Sequence, residues 1–313
     1  MIEDNGGSPV RTLREAGDGA RPLFLFHPAG GTTAVYQPLA DLLPDDVAVI
    51  GFERIDHLNT IEEKAAFYLE TVREMQPSGP YRLGGWSLGG CLAYDAARQL
   101  RAAGEDVEVV VMIDTILPDH SLVDDEQEAI RGRFERFVAY LETTYEVTLD
   151  LDLDALMALP EDEQISTFME AVASSGLGMS PGVLEHQRTS YVDARIAERY
   201  RPQPYDGRVV LYRASDRGLT TTLDPRYARQ EDSLGWDLLC STLEVVRVTG
   251  DHTQIIDRPN VDIIAEHLGV LFTRVPALAE VAELAEHRHE AHRFRREPSG
   301  RPKVTEPRRD VAL

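Results

Sequence analysis

The sequence predicts an α/β fold: a mostly parallel, doubly wound sheet interrupted by a helical insertion. Three observations carry this. Short apolar runs of strand length alternate with amphipathic runs of helix length from residue 22 to 115 and again from 207 to 275. The stretch "VEVVVMIDT" (107–115) is a near-continuous β-branched run, as in strands buried on both faces of a parallel sheet. Between about residues 117 and 205 the strand pattern lapses, leaving only helical patterns and polar turns.

Residues 1–20 are polar and glycine-bearing and read as a flexible leader. "PLFLFH" (22–27) is the first strand and leads into the loop "HPAGGTT". "AVYQPLADLL" (34–43) reads as a helix stopped by Pro44, and "VAVIGFE" (47–53) as the second strand. In "TIEEKAAFYLETVREMQ" (60–76), Thr60 with Glu63 three residues on is a capping box ahead of apolar residues at helical spacing. After "PSGP", "YRLGGWS" (81–87) is the third strand, and a helix over 88–103 runs to Gly104. Strand 107–115 follows. Inside the insertion, "EAIRGRFERFVAYLETTY" and "VLEHQRTSYVDARIAERY" have helical periodicity. "GRVVLYRASD" (207–216) and "LEVVRVTGDH" (243–252) resume the strands, and "VDIIAEHLGVLFTRV" (261–275) is the closing helix. The domain so defined covers 21–275. Residues 276–313 form a charged extension, with a helical pattern in "ALAEVAELAEHRHEAHRF" and a disordered composition after it.

A chain of 313 residues, 42% hydrophobic, can bury a substantial core. Its net charge of −22 argues against nucleic acid and against an anionic membrane surface as partners. No apolar run approaches the ~20 residues of a membrane helix, and the N-terminus is unlike a signal peptide, so a cytoplasmic protein is expected. Cys91 and Cys240 make neither a disulfide framework nor a zinc site and read as buried thiols. His287, His289 and His292 lack acidic or thiol partners in an ordered frame and read as a solvated helix end; no metal or cofactor is expected.

The chemistry is carried by Gly85-Trp86-Ser87-Leu88-Gly89, a G-x-S-x-G pattern between a strand and a helix. Glycines let the chain turn sharply and thrust the serine hydroxyl out at the tip, where the helix N-terminus favours developing negative charge. A serine hydroxyl is a weak nucleophile at neutral pH and needs a base held by a third group. In α/β-hydrolases the chain order is serine, acid, histidine. His252, in "VTGDHTQII", directly follows a late strand and is the expected base. His27 also ends a strand but precedes the serine; His57, His120 and His186 lie in loop or insertion sequence, and His267 in a helix. Asp114 and Asp216 both end strands ahead of His252, and chain order alone does not choose between them. Asp251 adjoins the histidine with its side chain expected elsewhere. The oxyanion hole should use the N–H of Leu88 and one from "HPAGG", with Ala29 first and Gly30 next.

With those residues in place, the chain resembles the thioesterase domains that end polyketide synthases, nonribosomal peptide synthetases and fatty acid synthases. The resemblance covers about residues 10–275. It rests on "PLFLFHPAGG", "QPSGPYRLGGWSLGGCLAYDAARQLRAAG", "VVVMIDT" and "VTGDHTQII". It implies an α/β-hydrolase fold whose insertion is a lid. It favours Asp114 as the acid, since the family usually takes it from the strand after the elbow helix; Asp216 is the reserve, matching free-standing editing enzymes. It further implies a carrier protein that delivers a thioester on phosphopantetheine, an acyl-Ser87 intermediate, and release by water or by an internal hydroxyl or amine. Tyr36, Trp86, Leu88, Tyr191 and Trp236 are candidate pocket liners.

Two departures from the family pattern stand out. The sequence holds no carrier-protein segment, so either a discrete enzyme acting in trans or an excised domain is expected; the extension after 276 is atypical. Carrier proteins are typically acidic, as this chain is. Docking would therefore need a local basic patch, for which Arg131, Arg133 and Arg136, or Arg195, Arg199 and Arg201, are candidates; a solvated amphipathic face is the plainer reading of both. The competing functions are an editing thioesterase that clears misprimed carriers, a small-molecule carboxylesterase, and a non-catalytic interaction module. Oligomeric state is open.

Overall fold

Runs of fully buried apolar side chains form the middle of a sheet. The computed structural model describes residues 9–17, 19–216 and 224–273. Seven strands, β1 (Val10–Arg14), β2 (Leu23–Phe26), β3 (Val49–Phe52), β4 (Tyr81–Trp86), β5 (Val107–Ile113), β6 (Tyr205–Ala214) and β7 (Cys240–Val248), lie side by side in the order β1-β3-β2-β4-β5-β6-β7. All neighbours are parallel except β1, which runs antiparallel to β3. Every residue of β2 and β3 is buried, as a parallel strand covered on both faces requires. Helices α1 (Gln37–Leu42), α2 (Ile61–Met75), α3 (Leu88–Ala102) and α8 (Asn260–Thr273) alternate with the strands, and α4 (Glu126–Tyr145), α5 (Leu153–Met157), α6 (Glu161–Ser174) and α7 (Pro181–Arg199) form the insertion between β5 and β6. This is the doubly wound, mostly parallel α/β arrangement expected.

The chain leaves β2 for β3 on one side and then crosses back to place β4 on the other. That reversal opens a crevice at the carboxyl ends of β2 and β4, where ligands bind in open parallel sheets. The loop 27–32 and Ser87 both emerge there.

Thr60 caps α2 as expected, its Oγ1 accepting from the Glu63 N–H at 3.2 Å. Three local differences have physical reasons. The helix expected over 34–43 is a 3₁₀ turn over Thr33–Tyr36 followed by α1, because Pro38 has no N–H and fits only a first helical turn. β7 starts at Cys240, ahead of its expected start at 243. The leader expected over 1–20 gives way at 10–14 to β1, an edge strand whose Arg11 reaches Glu53 at 2.6 Å and whose Arg14 reaches the Ala40 carbonyl at 2.9 Å. Polar edge strands lack the apolar run by which central strands are recognised.

The main core joins sheet, α2 and α3 and includes the aromatic group Phe24, Phe26, Phe52 and Tyr68. The insertion has a separate apolar cluster, with Phe134 and Phe168 rings 5.1 Å apart. The chain divides into two compact units, Met1–Glu266 and His267–Leu313. Of the second, only 267–273, the end of α8, is described. The expected extension, its helix and its three histidines lie outside the described residues.

Candidate active site

Ser87 sits between β4 and α3 with φ 56° and ψ −119°, a conformation strained for any residue with a Cβ. It is held there by its surroundings. The Ser87 N–H donates to the Ile113 carbonyl at 2.9 Å, and its own carbonyl accepts from the Gly90 N–H and the Thr115 hydroxyl, each at 3.1 Å. A Cβ on Gly85 would run into the Gly89 backbone, and one on Gly89 into the Phe26 carbonyl. The glycines flanking the serine are thus required by close approach of strand, helix and the neighbouring β2. Tyr36 is completely buried; its hydroxyl donates to the Phe26 carbonyl at 2.7 Å and accepts from the Trp86 N–H at 2.8 Å. It cross-ties the ends of β2 and β4 and lines no open pocket.

Asp114 follows β5 with φ 42°, its N–H donating to the Tyr212 carbonyl at 2.7 Å. One carboxylate oxygen accepts from the Ala214 N–H at 2.9 Å; the other lies 2.7 Å from Nδ1 of His252. An Nδ1–H donated to a carboxylate leaves Nε2 as the free nitrogen of a neutral ring. The His252 ring lies tilted against Trp86, the residue before the serine, with centroids 5.2 Å apart. Asp216 is exposed, and its backbone N–H bonds the Gly250 carbonyl; the carboxylate at His252 is that of Asp114. Asp251 turns away, accepting from Thr253 and Gln254, and these bonds hold its carboxyl below the usual range.

The loop after β2 is oriented by its own polar groups. His27 is completely buried, and its Nδ1 meets the Pro28 carbonyl at 2.9 Å, which also accepts from the Gly31 N–H at 3.0 Å. Burial lowers His27 to about 4 despite the raising influence of Asp193. The ring is therefore neutral at pH 7, donating from Nδ1. A trans peptide holds its N–H antiparallel to its C=O. The Ala29 N–H consequently points away from His27 and Gly31, and among the described residues no group accepts it. The Gly30 N–H, by contrast, is taken up by Asp193 of α7 at 3.1 Å.

Other expected site residues fall elsewhere. Trp236 is completely buried, its indole N–H on the Thr115 carbonyl at 2.8 Å and its ring 4.8 Å from that of Tyr94; it is core. Tyr191 stacks on Phe134 within the insertion's own cluster, under the Arg133 guanidinium. Leu88 is buried at the start of α3, and Trp86 alone of the pocket candidates is half-buried beside His252. The arginine groups form no free basic patch. Arg133 pairs with Asp224 (2.6 Å) and Glu198; Arg195 pairs with Glu126 (2.6 Å), Glu161 (2.8 Å) and Glu198 (2.5 Å); Arg131 pairs with Asp154 and Arg199 with Glu161. Arg133 and Arg195 are not on a solvated face either, since both are buried with Arg226 in an ion-pair network.

Burial pushes the Cys91 thiol up to about 12 and that of Cys240 to about 11, so neither is a thiolate at neutral pH. Among the described residues no group of three or more His, Cys, Asp or Glu side chains could hold a metal ion, and no helix is long and apolar enough to cross a membrane. Asp193 and Arg54 carried no motif in the sequence. The available signal was an acid at position 193 on the buried stripe Thr189, Asp193, Ile196 of α7.

The profile of the thioesterase domain matches residues 21–271. A dimodular nonribosomal peptide synthase from Bacillus subtilis (strain 168) is 31% identical over 215 residues, covering 65% of this chain and 8% of that protein. The crystal structure of holo-AB3403, a four-domain nonribosomal peptide synthetase bound to AMP and glycine, superposes with TM-score 0.61 at 30% identity, over 85% of this chain and 20% of that one. The NocB thioesterase domain, in covalent complex with a fluorophosphonate nocardicin G analogue, superposes with TM-score 0.56 at 26% identity, over 85% of this chain and 100% of that one. The chain thus spans less than a tenth of the curated synthase it matches.

Proposed function

The chain belongs to the thioesterase domain family, and from that premise we propose that it releases an acyl, polyketide or peptidyl chain from the phosphopantetheine arm of a carrier protein through an acyl-Ser87 intermediate. The observation that carries the reading is the 2.7 Å contact of His252 Nδ1 with Asp114, at the sheet edge where Ser87 projects from a strained turn. In this reading Asp114 holds the imidazole in the tautomer whose Nε2 accepts the serine proton.

The cycle runs in two halves. Ser87 gives its proton to His252 Nε2 as Oγ attacks the thioester carbonyl. The oxyanion accepts from the N–H groups of Leu88, at the positive end of α3, and Ala29, whose direction the His27 and Gly31 bonds to Pro28 support. Collapse breaks the C–S bond, and the departing pantetheine sulfur takes the proton from His252. Water, or a hydroxyl or amine of the same chain, then gives its proton to His252 and attacks the acyl carbonyl. Ser87 leaves with that proton restored. Free acid results from water, lactone or lactam from the internal nucleophile. The insertion bears on the substrate path as a lid, a role supported by α7 lying directly on the loop after β2.

The test is turnover of an acyl-pantetheine thioester against the aryl ester of the same acyl group. A higher kcat/KM on the thioester, abolished in Ser87→Ala, supports the proposal. Cleavage of the aryl ester with no thioester turnover replaces it with a carboxylesterase, and turnover of neither with an interaction module.

A further inference from the structure

We propose that Asp193, carried on α7 of the insertion, is a positioning residue for the oxyanion loop: its carboxylate ties the Gly30 N–H to the Arg54 guanidinium and so holds the peptide plane that follows the Ala29 N–H. The inference deepens the thioesterase reading and rests on it.

Asp193 is completely buried, and its partners come from far along the chain. Oδ2 accepts from the Gly30 N–H at 3.1 Å, and Arg54 Nε lies 3.1 and 3.0 Å from the two oxygens. Two successive glycines of the loop are crowded by side chains of α7 and by Arg54. Gly30 has φ +83°, and a Cβ there would run into Ser190 Oγ and the His186 ring, so the stripe 186, 190, 193 of α7 rests on it. The aliphatic part of Arg54 likewise fills the space where a Cβ on Gly31 would sit. The Gly30 N–H and the Ala29 carbonyl share one peptide plane, so the bond to Asp193 fixes that plane. The two bonds onto the Pro28 carbonyl fix the plane before it. The Ala29 N–H lies in the earlier of these planes, and the bond to Asp193 holds the later one against it.

A buried ion pair is weak grounds for stability, since apolar side chains of similar size often serve as well. What an apolar residue could not supply at 193 is an acceptor for the Gly30 N–H. The helix that bears this acceptor is itself anchored to the main body: Ile196 and Tyr200 belong to the main core, and the Tyr200 hydroxyl donates to Asp95 at 2.9 Å. The insertion's own cluster is centred on α4, α5 and α6. So α7 acts as a fixed wall of the site.

The experiment compares the full-length wild type with Asp193→Ala and Asp193→Asn, with fold checked by circular dichroism. The readouts are phosphonylation of Ser87 by a fluorophosphonate and hydrolysis of an acyl-pantetheine thioester, with rates normalised to the titrated active fraction. Arg54 also pairs with the exposed Asp56, so it is not stranded when Asp193 is removed. Asp193→Ala is expected to lower kcat by about 10- to 100-fold, less than the roughly 10²- to 10³-fold cost of removing an oxyanion donor outright, with KM within about threefold. Asp193→Asn keeps an acceptor for Gly30 and should recover most of that loss. A folded Asp193→Ala with kcat within about threefold of wild type, or a raised KM in place of a lowered kcat, overturns the inference. If the wild type is neither phosphonylated nor active, the thioesterase reading itself fails and this inference with it. Should Asp193→Ala not fold, hydrogen–deuterium exchange of the wild type decides: residues 28–32 should lose protection at the same urea concentration as α7. Immediate exchange of the loop while α7 stays protected overturns the claim.

Discussion

Acid should destabilise this protein through His27. The ring is completely buried, and loss of hydration holds it at about 4 against 6.5 for an exposed histidine. Because the folded value is depressed, the unfolded chain takes up a proton at a pH where the folded chain does not. Stability is therefore unaffected by His27 above about pH 6.5 and falls steadily as the pH drops from there to about 4. The gap between 6.5 and about 4, at ~1.4 kcal/mol per pH unit, is about 3 kcal/mol, a large part of the stability of an ordinary domain. The assay is urea denaturation at steps between pH 7 and 4 for wild type and His27→Asn. Asparagine keeps a donor for the Pro28 carbonyl and does not titrate. Burial lowers His120 too, but that contribution is common to both proteins and cancels in the difference. Wild type should lose about 3 kcal/mol more than the variant across this range. Parallel curves would refute the assignment of a buried neutral ring at position 27.

Further outcomes follow from other contacts. Glu198 is completely buried between Arg133, Arg195 and Arg226, so Glu198→Ala should lower stability by roughly 3–5 kcal/mol in chemical denaturation. Asp114→Asn should reduce kcat by roughly 10³- to 10⁴-fold with little change in KM, while Asp216→Asn stays within about threefold, as steady-state kinetics on one thioester would register. Tyr36→Phe leaves the Phe26 carbonyl and the Trp86 N–H without their shared partner, with an expected loss of about 1–3 kcal/mol by thermal or urea unfolding.

The parts legible in the sequence were those governed by local rules. β2, β3 and β5 announced themselves as apolar runs, α2 by Thr60 and Glu63, and the turn at Ser87 by its glycines, because each depends on residues adjacent in the chain. Asp114 and His252 are both singled out; chain order leaves Asp216 open and the family resemblance favours Asp114, and the fold, which sets β5 against β6 and brings the turn after β7 beside them, puts the Asp114 carboxylate at His252. Tyr36 and Trp236 looked like pocket residues because an aromatic's periodicity does not reveal whether its polar tip finds a backbone partner. The arginines of α4 and α7 looked surface-bound because Glu198 meets Arg133 only when α4 packs on α7, and Asp224 reaches it only from the segment after β6. Asp193 was invisible for the same reason: its contact with Gly30 spans two elements with no local pattern in common.

The central claim is a covalent acyl chain on Ser87, and intact-protein mass spectrometry after mixing with an acyl-pantetheine thioester tests it most directly. The wild type should gain the mass of the acyl group, mapped to the peptide containing Ser87, and the adduct should accumulate when deacylation is slowed in His252→Ala reacted with an activated thioester. Ser87→Ala should show none. Turnover of the thioester by Ser87→Ala at the wild-type rate, or an adduct carried on any other residue, would contradict the account.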